Sequence, residues 1–231
     1  MSCGVIFVAT GAAFVEDACS AAKSVRETNP SIEIDLFCDN QNSLPAGLFD
    51  KVHLIEEPHR RSKVDCLPRS RFERTLYLDS DVRVVANLTP LFRILERYEF
   101  AASHAHARNR SQTNTIWREE IPEAFPQLNG GVLLFKKCHN TDKLLNEWKA
   151  SFEEAGFRKD QITLRELVWK SDLRLYILPP EYNVRYSKYL KVWRADEALP
   201  KILHFKTFAT QNRRKPIKLR HRIGSLLWIK K

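Results

Sequence analysis

Apolar positions along the chain group into runs of two periods. Gly4 to Ala9 is a continuous apolar run closed by Thr10-Gly11, the pattern of a strand buried on both faces and ended by a turn. Phe14, Val15, Ala18, Ala21, Ala22 and Val25 then recur at helical spacing until Asn29-Pro30 stops the helix. Ile32 to Cys38 alternates as a strand does, ends at Asp39-Asn40, and has Lys51 to Ile55 as its companion. A short helix from about Ser62 to Ser70 leads into a strand at Arg74 to Leu78. Asn87 or Thr89 with Pro90 resembles a helix start, with Leu91, Ile94 and Leu95 on the inner face. Glu99 to Ser103 and Gly131 to Phe135 read as strands, Asp142 to Phe152 and Asp160 to Trp169 as helices, and Leu173 to Leu178 and Ile202 to Phe205 as late strands. Between them, His104 to Phe125 is polar, irregular and too long for an ordinary connection, which makes it either a binding loop or a mobile one. Strands alternating with helices predict an α/β fold around a mostly parallel sheet with helices on both faces.

Length fits that picture: 231 residues with 43% hydrophobic side chains suit one domain with a tail, here residues 1–210 and 211–231. The opening MSCGVIFVAT has no basic leader before an apolar core, and no apolar run reaches the ~20 residues of a membrane-spanning helix, so a cytoplasmic protein is expected. Five cysteines without CxxC spacing are read as reduced and structural. The net charge of +10 is uneven. Residues 201–231 hold ten of the 38 Lys and Arg and no Asp or Glu, which leaves the first 200 residues balanced. Such a tail suits phosphates of a substrate, of nucleic acid or of a membrane, and charge alone does not choose among them.

Asp79 and Asp81 flank one residue at the mouth of a buried strand, so both carboxylates can converge on one hard cation that also binds diphosphate oxygens. Spacing alone also fits a solvated turn whose aspartates cap the next segment. The surrounding residues narrow the choice. Arg74-Thr75-Leu76-Tyr77-Leu78-Asp79-Ser80-Asp81-Val82 resembles the DxD strand of GT-A glycosyltransferases, in particular family eight, the glycogenin and bacterial lipopolysaccharide galactosyl- and glucosyltransferase type. Leu128-Asn129-Gly130-Gly131-Val132-Leu133-Leu134-Phe135 is similar to the family's Asn-containing segment. Lys159-Asp160-Gln161 resembles its Asp-Gln helix start, Leu178-Pro179-Pro180-Glu181-Tyr182-Asn183 its late turn, and Ile202-Leu203-His204-Phe205 its histidine strand. The ordered combination spans roughly residues 4 to 210 and is far more specific than any one segment.

The resemblance implies a nucleotide-sugar-binding GT-A fold and a metal held by Asp79, Asp81 and His204. Manganese is preferred over magnesium, because an imidazole beside carboxylates suits it better. The donor implied is a UDP-sugar, transferred with retention to a hydroxyl of a glycan or lipid-linked glycan. Thr10 and Gly11 are placed at the base or ribose, with Asp39 reaching the base or else serving as a turn aspartate. Lys63 is a candidate for neutralising nucleotide phosphate, against the bland reading of a solvated lysine, and Ser80 lies between the metal carboxylates. Asn129, Asp160 and Gln161 are the candidates at the sugar and reacting centre, where a carboxylate or amide can stabilise oxocarbenium-like charge. Their ordinary alternatives are an Asn-Gly turn and a helix N-cap. His104, His106, His139 and His221 are left as structural or surface residues.

One departure stands out: the family follows its histidine with a glycine and then a diphosphate-clamping lysine, whereas this chain reads His204-Phe205-Lys206-Thr207-Phe208. Lys206, two residues along a strand from His204 and so on its face, or Arg213 and Arg214, would have to supply the charge. An inverting transferase or a nucleotidyltransferase on a similar sheet is the enzymatic rival, although Gly11-Ala12-Ala13-Phe14 lacks the glycine-rich basic loop of the latter. A basic module gripping nucleic acid or another polyanion is the non-enzymatic rival. It lacks a reader motif, so no specific nucleic acid is expected. The tail beyond residue 210 is expected to pack on the domain, with peripheral contact to an anionic membrane as the competing use of its Lys, Arg, Leu and Trp.

Overall fold

In a computed structural model, which describes residues 2–42 and 44–210, the opening apolar run becomes β1 (Cys3–Ala9). Its side chains alternate between two apolar layers, Val5 and Phe7 in one and Ile6 in the other. This explains the unbroken hydrophobicity of the segment: both faces of the strand are covered. The same division recurs in β2 (Glu33–Cys38), β4 (Arg74–Leu78) and β7 (Leu128–Lys136), where Leu76, Leu78, Val132 and Leu134 join the first layer and Tyr77, Leu133 and Phe135 the second. With β3 (Lys51–Leu54), β6 (Phe100–His104) and β8 (Leu175–Ile177) these make a seven-stranded sheet in the order β3-β2-β1-β4-β7-β6-β8. Only β7 runs against its neighbours, pairing antiparallel with β4 and β6, so the sheet is mostly parallel as predicted.

Helices cover both faces. On the first lies α1 (Ala12–Thr28), which buries Val15, Ala18, Ala21, Ala22 and Val25. The second holds the short α2 (Lys63–Cys66) with α3 (His139–Ala155) and α4 (Gln161–Lys170), which bury Leu144, Leu145, Trp148, Leu164 and Val168. Each fully buried Leu or Phe in such a layer contributes about 1.5–3 kcal/mol relative to exposure. A further helix, α5 (Tyr189–Val192), follows the late turn.

Several expectations shift on inspection. The helix read after Pro90 is a 3-10 segment, Thr89–Glu96, which still buries Leu91 and Leu95. The helix predicted over Ser62 to Ser70 breaks after Cys66, where Pro68 starts a 3-10 turn over Leu67–Arg69. The histidine strand is not part of the large sheet. It forms β9 (Ile202–His204), paired antiparallel with β5 (Val82–Val84), a strand too short for periodicity to reveal. All five cysteines are free, and burial pushes the Cys66 thiol up to about 12, as inert structural thiols require. Among the described residues no helix is long and apolar enough to cross a membrane. Residues 211–231, with Arg213, Arg214 and the basic tail, lie outside the described residues.

Two predictions concern stability. A Cβ built on Gly4 would overlap the ring of the fully buried Phe72, so Gly4→Ala should destabilise the domain by about 1–3 kcal/mol, read as a lower urea midpoint at unchanged slope. Burial raises the carboxyl pKa values of Asp50, Glu99 and Glu166, but bonds from Ile34 N–H and Arg26, Arg174 and Asn140, and Lys170 and Arg118 more than offset it, leaving all three lowered. A lowered folded-state value gives stability that is fully present above the ordinary carboxylate range of about 4 and is lost as pH falls through the folded values. Melting temperature should therefore be level down to about pH 5 and fall steeply below pH 4.

Candidate active site and metal centre

The carboxyl ends of β2, β1 and β4 lie side by side, and the chain reverses its direction of progress across the sheet between β1 and β4. Ligands of open α/β sheets bind in the crevice at such a switch point. Thr10-Gly11, Asp39 and Asp79-Ser80-Asp81 leave these strand ends, and the antiparallel β7 begins there with Leu128-Asn129-Gly130. Asp79 N–H donates to Gly131 O at 2.8 Å, which fixes the aspartate beside β7.

The β5–β9 pairing sets Val82 opposite His204, so the imidazole arrives next to Asp81. His204 Nε2 lies 2.9 Å from Asp81 Oδ1 and 3.7 Å from Asp79 Oδ2, and one ligand atom from each of the three residues falls within 4.8 Å of the others. The other ring nitrogen, Nδ1, donates to Asn183 Oδ1 at 2.8 Å, which turns Nε2 toward the carboxylates. Acceptors thus bracket the ring on both nitrogens, an arrangement that calls for a positive charge between Nε2 and the aspartates. Burial raises the Asp81 pKa, but His204 and Arg185 hold it down to about 2. Tyr77 O–H donates to Asp79 Oδ1 at 2.6 Å, and burial with the Asp79 charge keeps that phenol protonated far above its ordinary range. The cradle has no room for a side chain at Gly131. A Cβ there would overlap His204 Cε1 and lie 2.5 Å from Asp79 Oδ2. Two carboxylate oxygens, one imidazole nitrogen and a bare backbone wall fit a divalent ion that keeps open positions for a ligand.

Beside this triad stands a buried ion-pair network. Lys63, 6% exposed, places Nζ 2.8 Å from Asp160 Oδ2, 2.8 Å from Gly130 O and 3.8 Å from Asp79 Oδ1. The solvated-lysine reading is therefore corrected. Burial disfavours the ammonium, yet the charges of Asp160 and Asp79 raise its pKa above the ordinary value. Asp160, 2% exposed, is the mirror case: burial raises its pKa, and Lys63 with Arg61, 3.4 Å from Oδ1, lowers it further, so it stays ionised. Asp160 occupies the N-cap position of α4 but makes no capping hydrogen bond with its side chain; its carbonyl instead accepts Trp148 Nε1–H at 2.8 Å. Where a Cβ of Gly130 would sit, Lys63 Nζ, Asp160 Oδ2 and Gln161 Cγ lie at 3.0, 3.3 and 3.5 Å. The absent side chain keeps β7 close to this group. Asn129 Oδ1 accepts Gly131 N–H at 3.0 Å, the local turn bond expected of its ordinary reading.

At the other side of the crevice Asp39 accepts Gly11 N–H with both carboxylate oxygens, at 2.8 and 3.0 Å, so it fixes the loop after β1. Gly11 has φ +87°, a backbone that favours glycine, and it opens α1 without a side chain over the crevice. Thr10 Oγ1 donates to His59 O at 3.4 Å, and Ser80 lies half-buried between Asp79 and Asp81. Strand β9 stops at His204, and Lys206 starts an exposed 3-10 turn over Lys206–Phe208. Sequence reasoning missed Asn183, Tyr77, Arg61 and Gly131 as site residues. Asn183 and Tyr77 stood inside motif segments, but nothing in the order of residues says which side chain meets His204 or Asp79.

No protein-family model matches the sequence, and no curated protein matches it. Solved structures do. An active-site mutant of LgtC superposes with a TM-score of 0.65 at 17% identity, over 97% of this chain and 95% of that one. The galactosyltransferase LgtC in complex with donor and acceptor sugar analogues gives 0.61 at 17%, over 95% and 99%. GlyE, a glycosyltransferase of Streptococcus pneumoniae TIGR4, gives 0.64 at 20%, over 98% of this chain and 60% of that one. At these identities the likeness establishes the architecture: the chain has the GT-A glycosyltransferase fold.

Removing the group that orients a metal-ligating histidine lowers metal affinity by about 10–100-fold. Asn183→Ala should show that loss in a Mn²⁺ titration followed by electron paramagnetic resonance, and Gly131→Ala at least as large a loss, both with an unchanged far-ultraviolet circular dichroism spectrum.

Proposed function

We propose that this protein is a metal-dependent glycosyltransferase that moves a hexose from a UDP-sugar, with retention, to a hydroxyl of a glycan or lipid-linked glycan. The observation that carries the reading is the convergence of Asp79, Asp81 and His204 around a bare Gly131 at the switch point of a GT-A sheet. These three residues would hold Mn²⁺ or Mg²⁺, manganese being preferred for the imidazole. When bound, the ion would offset diphosphate charge and act as Lewis acid toward the departing nucleoside diphosphate.

The protein's own groups account for the rest. Thr10 and Gly11 form the rim for base and ribose, with Asp39 bracing that rim through the Gly11 N–H. Ser80 lies between the two metal-site aspartates. In the reaction the bond from the anomeric carbon to the diphosphate oxygen breaks, a bond to the acceptor oxygen forms, and the acceptor proton leaves with the diphosphate. Positive charge develops on the sugar as the first bond breaks. Asp160 is ionised and rigidly held by Lys63 and Arg61, so its role is electrostatic support and alignment, not proton donation. Gln161 and Asn129, on either side of Gly130, supply neutral hydrogen-bonding groups to the sugar, and Lys63 supplies a fixed positive charge between Asp79 and Asp160. The acceptor is assigned to the irregular segment around residues 104–125, which borders the same sheet edge where β6 ends at His104.

Incubation with a panel of sugar nucleotides, with and without Mn²⁺, tests the assignment. Hydrolysis or transfer should require the ion, disappear on chelation and return better with Mn²⁺ than with Ca²⁺. Asp81→Ala and Asp79→Asn should each lower turnover by on the order of a hundredfold or more while leaving the fold intact. Full activity in either variant, or undiminished turnover after exhaustive chelation, would exclude the metal centre.

A further inference from the structure

Arg185 stands two residues beyond Asn183, in the segment that docks on the histidine strand. Val184 bridges Leu203 in parallel and its carbonyl accepts His204 N–H at 3.0 Å, so the backbone of Arg185 is fixed next to the triad. The segment that carries Arg185 follows Asn183, whose side chain meets His204, and precedes Tyr186, whose ring packs on His106 in the loop after β6. Its Nη1 is buried and has no hydrogen-bond partner. Guanidinium donors that leave water ordinarily find an acceptor, and one without an acceptor next to a ligand site points to an acceptor that a ligand brings.

Charge balance says which acceptor. A divalent ion cancels the two carboxylates of Asp79 and Asp81, leaving the charge of a bound diphosphate to be met by other cations. Lys63 is already engaged by Asp160, Asp79 and Gly130 O, and Arg61 by Asp160. Lys206, which the sequence offers for this charge together with Arg213 and Arg214, lies past the end of β9 in an exposed turn, and it alone of the three is among the described residues. We infer that Arg185 is the phosphate-binding cation of this site, donating from its buried edge to the diphosphate oxygens of the nucleotide. Guanidinium suits the task because its planar fork can meet two phosphate oxygens at once, which an ammonium does not do. This assignment rests on the nucleotide-sugar reading above.

Isothermal titration of the full chain with UDP and with UMP, each in the presence of Mn²⁺, compares wild type with Arg185→Gln and Arg185→Lys. The expected result is a loss of at least tenfold in UDP affinity for Arg185→Gln, partial recovery in Arg185→Lys, a change below threefold for UMP, and Mn²⁺ affinity equal to wild type. Equal UDP affinity in wild type and Arg185→Gln would overturn the assignment and leave the glycosyltransferase reading in place. A parallel loss of Mn²⁺ affinity would also overturn it, by showing that Arg185 merely supports the triad. If wild type binds Mn²⁺ but neither UDP, GDP nor ADP, the nucleotide-sugar reading itself fails and the assignment with it.

Discussion

Everything at the sheet edge depends on the register that sets Val82 opposite His204. Asp79 and Asp81 are like charges held close by a one-residue spacing, and each disfavours ionisation of the other unless a positive group stands between them. The β5–β9 pairing brings an imidazole beside them from more than a hundred residues away in sequence, completing a ligand set for such a group, and the Asn183 side-chain oxygen fixes which nitrogen it presents. A one-residue slip of β9 would turn His204 to the opposite face and leave the aspartates repelling each other.

A second consequence of crowding the site is the use of backbone in place of side chains. Gly130 and Gly131 sit where β7 passes the aspartates, and a Cβ at either would press on Lys63, Asp160, His204 or Asp79. The wall of the site is therefore peptide, with its carbonyls already assigned: Gly130 O to Lys63 and Gly131 O to Asp79 N–H. Such a wall has no rotamers to order when a ligand binds.

The buried Lys63–Asp160 pair serves placement more than stability. Desolvating both ions costs roughly what their attraction returns, so pairs of this kind are weak evidence for stabilisation. What the pair does is keep Asp160 ionised and immobile between α4 and β7, with Arg61 closing its other oxygen and Trp148 holding its carbonyl. Arg61 and Lys63 both belong to the segment around α2, so one short element supplies the positive side of this network.

The sequence by itself determined the strands, because their two-sided apolar runs have no other stable use than a covered sheet. It also determined the Asp79-Ser80-Asp81 turn and the ordered segments that mark the GT-A likeness. His204 stood out through that order, while Lys63 carried two readings. Tertiary structure alone decided the partners. Strand β5 is three residues long and carries no period, so the sheet that welds His204 to Asp81 was invisible in the chain. The break after Cys66, the end of β9 before Lys206, and the meetings of Asn183 with His204 and Tyr77 with Asp79 were equally hidden. Periodicity reports which face of an element is buried, because burial acts on every residue of that face. A single hydrogen bond between distant residues leaves no such repeated trace, and only the folded backbone says which two side chains share it.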